Sequence, residues 1–274
     1  MKSSSAILFL FVTGFCLHAQ SVASEESAAL HVRGGASYLI HNSSLSNFEG
    51  VVDCSEFTRG TSLVPQLSLG VERAIGTSAA ASLTARWTSR STTLVADQSS
   101  VPAFDVALNS QTSVLFESSI KAVLPYLDIL PELALDLHAT GRSTLRLMIG
   151  AFAGIPLSPT FETRQRIVSP DNAVFISNKQ QSISLSNGVR SINSITSPLL
   201  GVSLGIDNLM TSSANSHFSQ ALRFEYLLSN IVSSSSWKAL GVRVDVGYRF
   251  AFVKETPPQA PMAPTPPPPT PPPP

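Results

Sequence analysis

Apolar and polar residues alternate with a period of two along most of this chain, in segments of ten or so residues separated by polar stretches. Across residues 30–40 one face carries Leu30, Val32, Gly34, Ala36, Tyr38 and Ile40, and the other His31, Arg33, Gly35 and Ser37. Residues 63–74 set Leu67, Leu69 and Val71 against Gln66, Ser68, Gly70 and Glu72, and residues 78–91 set Ala81, Leu83, Ala85 and Trp87 against Ser82, Thr84, Arg86 and Thr88. Segments 144–158, 198–209, 219–228 and 237–252 repeat the pattern, with Met148 and Phe152 as apolar exceptions on a polar face. The last is the most regular: Leu240, Val242, Val244, Val246, Tyr248 and Phe250 oppose Gly241, Arg243, Asp245, Gly247 and Arg249. Such alternation predicts half-buried β-strands, because successive side chains of a strand point to opposite faces.

The fourth segment is less simple. Residues 112–122 carry apolar side chains at even positions (Val114, Phe116, Ile120), whereas residues 127–137 carry them at odd ones (Leu127, Ile129, Leu133, Leu135). This predicts a flip of register near Leu124–Pro125, made by a bulge or break, with the later part crossing a membrane and the earlier part extending a hairpin above it. Pro131, which cannot donate to a ladder, sits within the crossing part. Connections 42–62, 92–111 and 159–197 are long and polar, whereas 75–77 and 138–143 are short; connections 210–218 and 229–236 are similar in length and break the contrast.

Alternation alone fits a soluble sandwich or a lipocalin-like barrel as well as a membrane barrel, since both give period two. Composition tilts the balance. Charged residues make up only 13%, hydrophobic residues 43%, and the mean hydropathy is +0.19. The polar faces are rich in glycine and serine and hold one or two charges per strand, which suits a filled lumen better than a solvated surface. Aromatics (Tyr38, Trp87, Tyr226, Trp237, Phe250, Phe252) fall near predicted strand ends, as interfacial girdles would place them. No apolar run is long enough for a membrane helix, so a chain that spans lipid must close a barrel to satisfy its backbone. The predicted fold is all-β: an eight-stranded antiparallel transmembrane up-and-down β-barrel with a long strand-4 region and long outer loops. An even strand count puts both termini on the periplasmic side.

Residues 1–23 read as a signal peptide: Lys2 is followed by an apolar core from Ala6 to Cys16 and small residues at Ser21-Val22-Ala23, with Ala19 as a second cleavage candidate. Phe15 before Cys16 does not fit a lipidation site. Cleavage leaves Cys54 as the mature cysteine, which excludes a disulfide framework. Residues 24–253 form the predicted barrel and residues 254–274 a proline-rich disordered periplasmic tail. Lysine plus arginine equals aspartate plus glutamate at 18 each, so no net field points to nucleic acid.

The segment Asp245-Val246-Gly247-Tyr248-Arg249-Phe250-Ala251-Phe252 resembles the C-terminal β-signal of outer-membrane barrels, a polar residue, a glycine, then alternating aromatic or apolar residues ending in Phe. Over residues 30–252 the pattern, rather than residue identity, resembles the OmpA/OmpX-type small barrel, in particular the outer membrane protein β-barrel domain group of Bacteroidota-like lineages. The resemblance implies a location in the cell outer membrane, with outer-membrane lipid and lipopolysaccharide as surroundings. It also implies recognition by the barrel-assembly machinery through Asp245, Gly247, Tyr248, Phe250 and Phe252. In OmpA-like proteins a proline-rich linker leads to a domain that grips peptidoglycan. Residues 256–274 look like that linker, and the sequence holds no such domain after it. Two readings stand: a reading frame cut within a proline-coding repeat, or a disordered tail, with peptidoglycan the partner the tail would add.

Candidate chemistry concentrates in the predicted lumen. Arg33, Arg86, Arg146, Arg223, Arg243 and Arg249 face Glu72, Asp128, Glu132, Asp136, Glu225 and Asp245, and in a narrow barrel these should pair, because an unpaired buried charge is costly. A plugged lumen is the leading expectation and a small gated pore the alternative. A lipid-modifying barrel enzyme is a third reading, for which His41 with Ser43, Ser44 and Asp53 is the one constellation at hand. His31 is expected in the lumen, and His138 and His217 in periplasmic connections, none with metal-ligand spacing. The Gly34-Gly35 pair reads as strand packing. Arg164, Arg166, Lys179 and Arg190 make the longest loop mildly basic, a candidate contact for anionic lipopolysaccharide. The expected function is non-catalytic, structural or surface-interacting, with no cofactor.

Overall fold

The computed structural model describes residues 26–46, 48–51, 56–105, 110–170, 173–175, 177–213 and 215–253. The predicted signal peptide, the proline-rich tail, Asp53 and Cys54 lie outside the described residues.

Eight strands close a ring: β1 (Glu26–Leu45), β2 (Phe57–Ala74), β3 (Ala79–Ser89), β7 (Pro125–Ala139), β8 (Ser143–Pro156), β12 (Leu199–Ser213), β13 (Ser216–Leu227) and β14 (Ser236–Val253). Each pairs antiparallel with its neighbours, and β1 closes the ring by pairing with both β2 and β14. Closure removes every sheet edge at membrane depth, which lipid requires. Above the ring, β4 (Thr92–Ala96), β5 (Ser99–Asp105), β6 (Ser110–Val123), β9 (Thr160–Ser169), β10 (Ser182–Ser184) and β11 (Arg190–Ser191) continue the sheet from the outer part of β2 in the order β2–β4–β6–β9, with β5 on β6 and β10 and β11 on β9. The barrel wall thus rises on one flank into a folded platform, where the sequence suggested long loops over 92–111 and 159–197.

The expected flip of register at Leu124–Pro125 does not occur. Ser118, Ile120, Ala122, Leu124, Tyr126, Asp128, Leu130, Glu132 and Ala134 are all buried, an unbroken even-numbered series. The pairings Thr92↔Ala122 and Ser89↔Pro125 keep one stagger across the junction. What changes there is the chemistry of the interior, from charged to apolar, and that change imitates a parity switch in the hydropathy pattern. The switch of parity lies instead in the fifth crossing: β8 buries even residues (Arg146, Met148, Phe152) and β9 buries odd ones (Phe161, Thr163, Ile167). Between them Ser158 adopts a left-handed φ of 53°.

Connections on the lower side are tight: β12 and β13 pair out to Ser213↔Ser216, so most of the predicted connection 210–218 is strand. The contrast between short lower turns and long outer segments therefore holds around the whole ring. Outward side chains form an apolar band, including Leu63, Leu67, Leu69 and Val71 on β2, Leu200, Val202, Leu204 and Ile206 on β12, and Leu240, Val244, Val246 and Tyr248 on β14, all well exposed. From Leu63 to Val71 the band covers about 20 Å of the membrane normal once strand tilt is allowed for. Tyr38, Trp87 and Tyr226 edge it above, and Phe250 and Phe252 below. Trp237, expected in the girdle, is instead fully buried inside, because it shares its parity with Arg243 and Asp245.

Candidate functional site

Two layers fill the barrel. The lower layer is a network of arginines and carboxylates at membrane depth. Asp207 accepts from Arg33 at 2.7 Å, Arg146 at 3.0 Å and the Ser219 hydroxyl at 2.8 Å. Glu72 accepts from Arg146 and Arg249, each at 2.9 Å. Higher up, Asp245 holds Arg223 at 3.0 Å and Arg243 at 2.8 Å, and Glu132 holds Arg223 at 3.1 Å. Glu225 bridges Arg86 and Arg243. Asp128 accepts a forked pair from Arg90 at 2.8 and 3.1 Å and a further bond from Arg86 at 2.6 Å. Every one of these side chains is buried, and each carboxylate meets at least one guanidinium, the arrangement that offsets the cost of removing charge from water.

Glycines make this density possible. A β-carbon at Gly70 would come within 2.1 Å of His31 Nε2, the atom that meets the Thr84 hydroxyl at 2.9 Å. One at Gly247 would meet the Val32 carbonyl at 2.1 Å and the Arg33 side chain at 2.8 Å. Gly247 thus has a packing reason of its own within the segment that resembles an assembly signal.

Eleven of the twelve lumen charges named from the sequence are buried in this network: Arg33, Glu72, Arg86, Asp128, Glu132, Arg146, Arg223, Glu225, Arg243, Asp245 and Arg249. Asp136 lies exposed at the lower rim, level with Arg146 in the ladder. Two hubs were missed, Asp207 and Arg90. Parity alone marked both as inward, Asp207 with Ser203 and Gly205, and Arg90 with Arg86 and Thr88.

The upper layer is a conventional apolar core. Leu45, Phe57, Leu94, Ile120, Leu124, Phe161, Leu199, Ile231 and Trp237 pack there with Phe48 and Val51 from the connection after β1. Phe48 meets Phe161 edge-on with ring centres 4.9 Å apart. The layers join where the Arg90 guanidinium lies 4.7 Å from the Tyr126 ring centre and 5.1 Å from that of Phe152, and Arg86 lies 5.4 Å from Phe152. A latch closes the top. Glu49, in a short 3-10 turn (Phe48–Gly50) and with a left-handed φ of 51°, accepts from the Ser194 amide at 2.8 Å, the Ser194 hydroxyl at 2.5 Å and the Asn193 amide at 3.1 Å. Burial pushes its carboxyl up, but these hydrogen bonds outweigh it and hold the group below the ordinary carboxylate value.

The described members of the constellation around His41 bond to other partners rather than to one another. Trp237 Nε1 donates to His41 Nδ1 at 3.1 Å, Ser43 donates to the Phe57 carbonyl at 2.8 Å, and Ser44 donates to Glu56 on the exterior. His31 lies inside, His138 is exposed at the end of β7, and His217 belongs to β13 rather than to a connection. Of the predicted basic loop, Arg164 and Arg166 lie on β9 beside Glu162 and Glu117, and Arg190 lies over the Phe161 ring at 6.0 Å.

An apolar exterior around a paired, charged interior defines a membrane-spanning β-barrel with a filled lumen. No family model matches the chain, and no curated protein is detectably similar to it in sequence. Among solved structures it is similar to Ail, the attachment invasion locus protein of Yersinia pestis, at 12% identity over 82% of this chain and 99% of that one, with a TM-score of 0.34. It is also similar to Neisserial surface protein A (10%, 85% and 100%, TM-score 0.36) and to the outer membrane protease OmpT from Escherichia coli (6%, 85% and 100%, TM-score 0.37). Identities and scores this low transfer no role to this chain.

Proposed function

We propose that the chain is a non-catalytic outer-membrane barrel that anchors a folded β-platform at the cell surface, and that its lumen is sealed. One observation carries this reading: every carboxylate of the charged layer meets a guanidinium of the same layer, and an apolar core covers it from above. An eight-stranded ring leaves an interior that side chains can fill. A gated pore would need both layers to part. A rim enzyme would need a free nucleophile, and the Ser43 hydroxyl donates to the Phe57 carbonyl while the Ser44 hydroxyl donates to Glu56 on the exterior. In this reading the lower turns and both termini face the periplasm. Asp245, Gly247, Tyr248, Phe250 and Phe252 then present the final strand to the assembly machinery, and any contact with peptidoglycan runs through the tail.

The test is planar-bilayer recording of the purified, folded protein. Absence of stepwise conductance is expected across ordinary voltages, and a steady conductance abolished by boiling would overturn the sealed lumen. Cell fractionation with a heat-modifiability gel checks the location independently.

A further inference from the structure

Cations missed as a group in the sequence come together on the outside of the rising flank. The cross-strand pairings Lys238↔Asn42, Asn42↔Arg59, Arg59↔Val95, Val95↔Ser119 and Ser119↔Arg164 form one continuous row over β14, β1, β2, β4, β6 and β9. Its members share the outward face; Arg59 and Arg164 are exposed. Lys121 stands one row nearer the membrane, opposite Glu162 and Thr93, and Arg166 one row further out, opposite Glu117. At about 4.8 Å per strand the row runs for roughly 24 Å.

Its height is set by the apolar band. On β2 the outermost exposed leucine, Leu63, lies four residues after Arg59, about 10 Å along the membrane normal after tilt. Lys238 is closer still, its ammonium 5.8 Å from the ring centre of the girdle residue Tyr226. Exposed pairs tie Arg164 to Glu162 and Arg166 to Glu117, whereas Arg59, Lys121 and Lys238 form no ion pair among the described residues. The row lies perpendicular to tilted strands and so climbs from Lys238 toward β9, which leaves Lys238, Arg59 and Lys121 nearest the edge of the hydrocarbon, where the phosphates of lipid headgroups lie.

We infer that Arg59, Lys121 and Lys238 form a docking belt for the phosphates of the outer leaflet's glycolipid, holding one flank of the barrel against that lipid. The inference rests on the outer-membrane reading and moves the candidate lipopolysaccharide contact from the 159–197 segment to the barrel wall. The folded full chain, in detergent, is mixed with diphosphorylated lipid A or its dephosphorylated form, and retained lipid is counted by native mass spectrometry. Wild type should retain the phosphorylated form about tenfold better, and lose that preference at ~0.5 M salt. The triple variant Arg59→Gln, Lys121→Gln, Lys238→Gln should lose it at low salt while still shifting on boiling; Lys121→Gln alone, a fully surface change, should give a partial loss. Equal retention of both lipids by wild type, or an unchanged preference in both variants, overturns the belt. Displacement of lipid A by inorganic polyphosphate at equal phosphate would point to a soluble polyanion and also overturn it. Loss of heat-modifiability in wild type would instead sink the outer-membrane reading on which the belt depends.

Discussion

The lower and upper halves of the interior are lined by one continuous β-wall, yet they obey opposite rules. At membrane depth the chain is inverted: Leu69, Ile206 and Val244 face outward, and Arg33, Asp207 and Asp245 are buried. Above it, Leu94, Ile120 and Phe161 turn inward while Arg59, Lys121 and Arg164 face out. Solvent decides the difference. Lipid gives no gain for hiding leucine and leaves the narrow lumen to polar groups that must satisfy one another, whereas water above the membrane restores the ordinary drive to bury apolar surface.

Removing a hub should separate the halves most sharply. Asp128→Ala leaves Arg86 and Arg90 without their shared carboxylate and should cost about 3–5 kcal/mol, read from urea unfolding in lipid vesicles; Asp128→Asn, retaining shape and one acceptor, should cost less. Phe161→Ala in the upper core should cost about 3–4 kcal/mol, chiefly by making a cavity, and should make the outer platform sensitive to protease before the ring itself opens. Outside, Leu69→Arg at the middle of the band should cost about 2–4 kcal/mol, while Thr93→Arg on the outward face above it should be near neutral; equal effects would mean that the band is misplaced.

The smallest effect belongs to the latch. Glu49→Gln should weaken the tie to Ser194 by about 1 kcal/mol and speed proteolysis of the outer segments without unfolding the ring. Because the native pKa of Glu49 is depressed, the latch contributes fully above the ordinary glutamate value and is lost as pH falls through the lower native value. Amide chemical shifts of Asn193 and Ser194 should follow that titration in wild type and stay flat in Glu49→Gln.

Much of this molecule was legible in the order of its residues. Strand positions, the face each side chain takes and the inward set from Arg33 to Arg249 all follow from period-two alternation. The misreadings have one origin. At Leu124–Pro125 the hydropathy pattern inverts although the backbone does not, so a change of surroundings looked like a change of parity. Trp237 was assigned to the girdle for its aromatic character although its position marked it as inward. Asp207 on β12 and Arg90 just past β3 carried the right parity, but nothing local singled them out.

By itself, the sequence determined which half of each strand is greasy and which is polar, because that is a property of neighbours two residues apart. Only the tertiary structure decided which charges meet, since Arg33 and Asp207 are 174 residues apart and touch only when the ring closes. It also decided where the interior turns from charged to apolar, for that depends on the height of each residue above the lipid. Height is set by how eight strands stagger against one another, and no single strand records it.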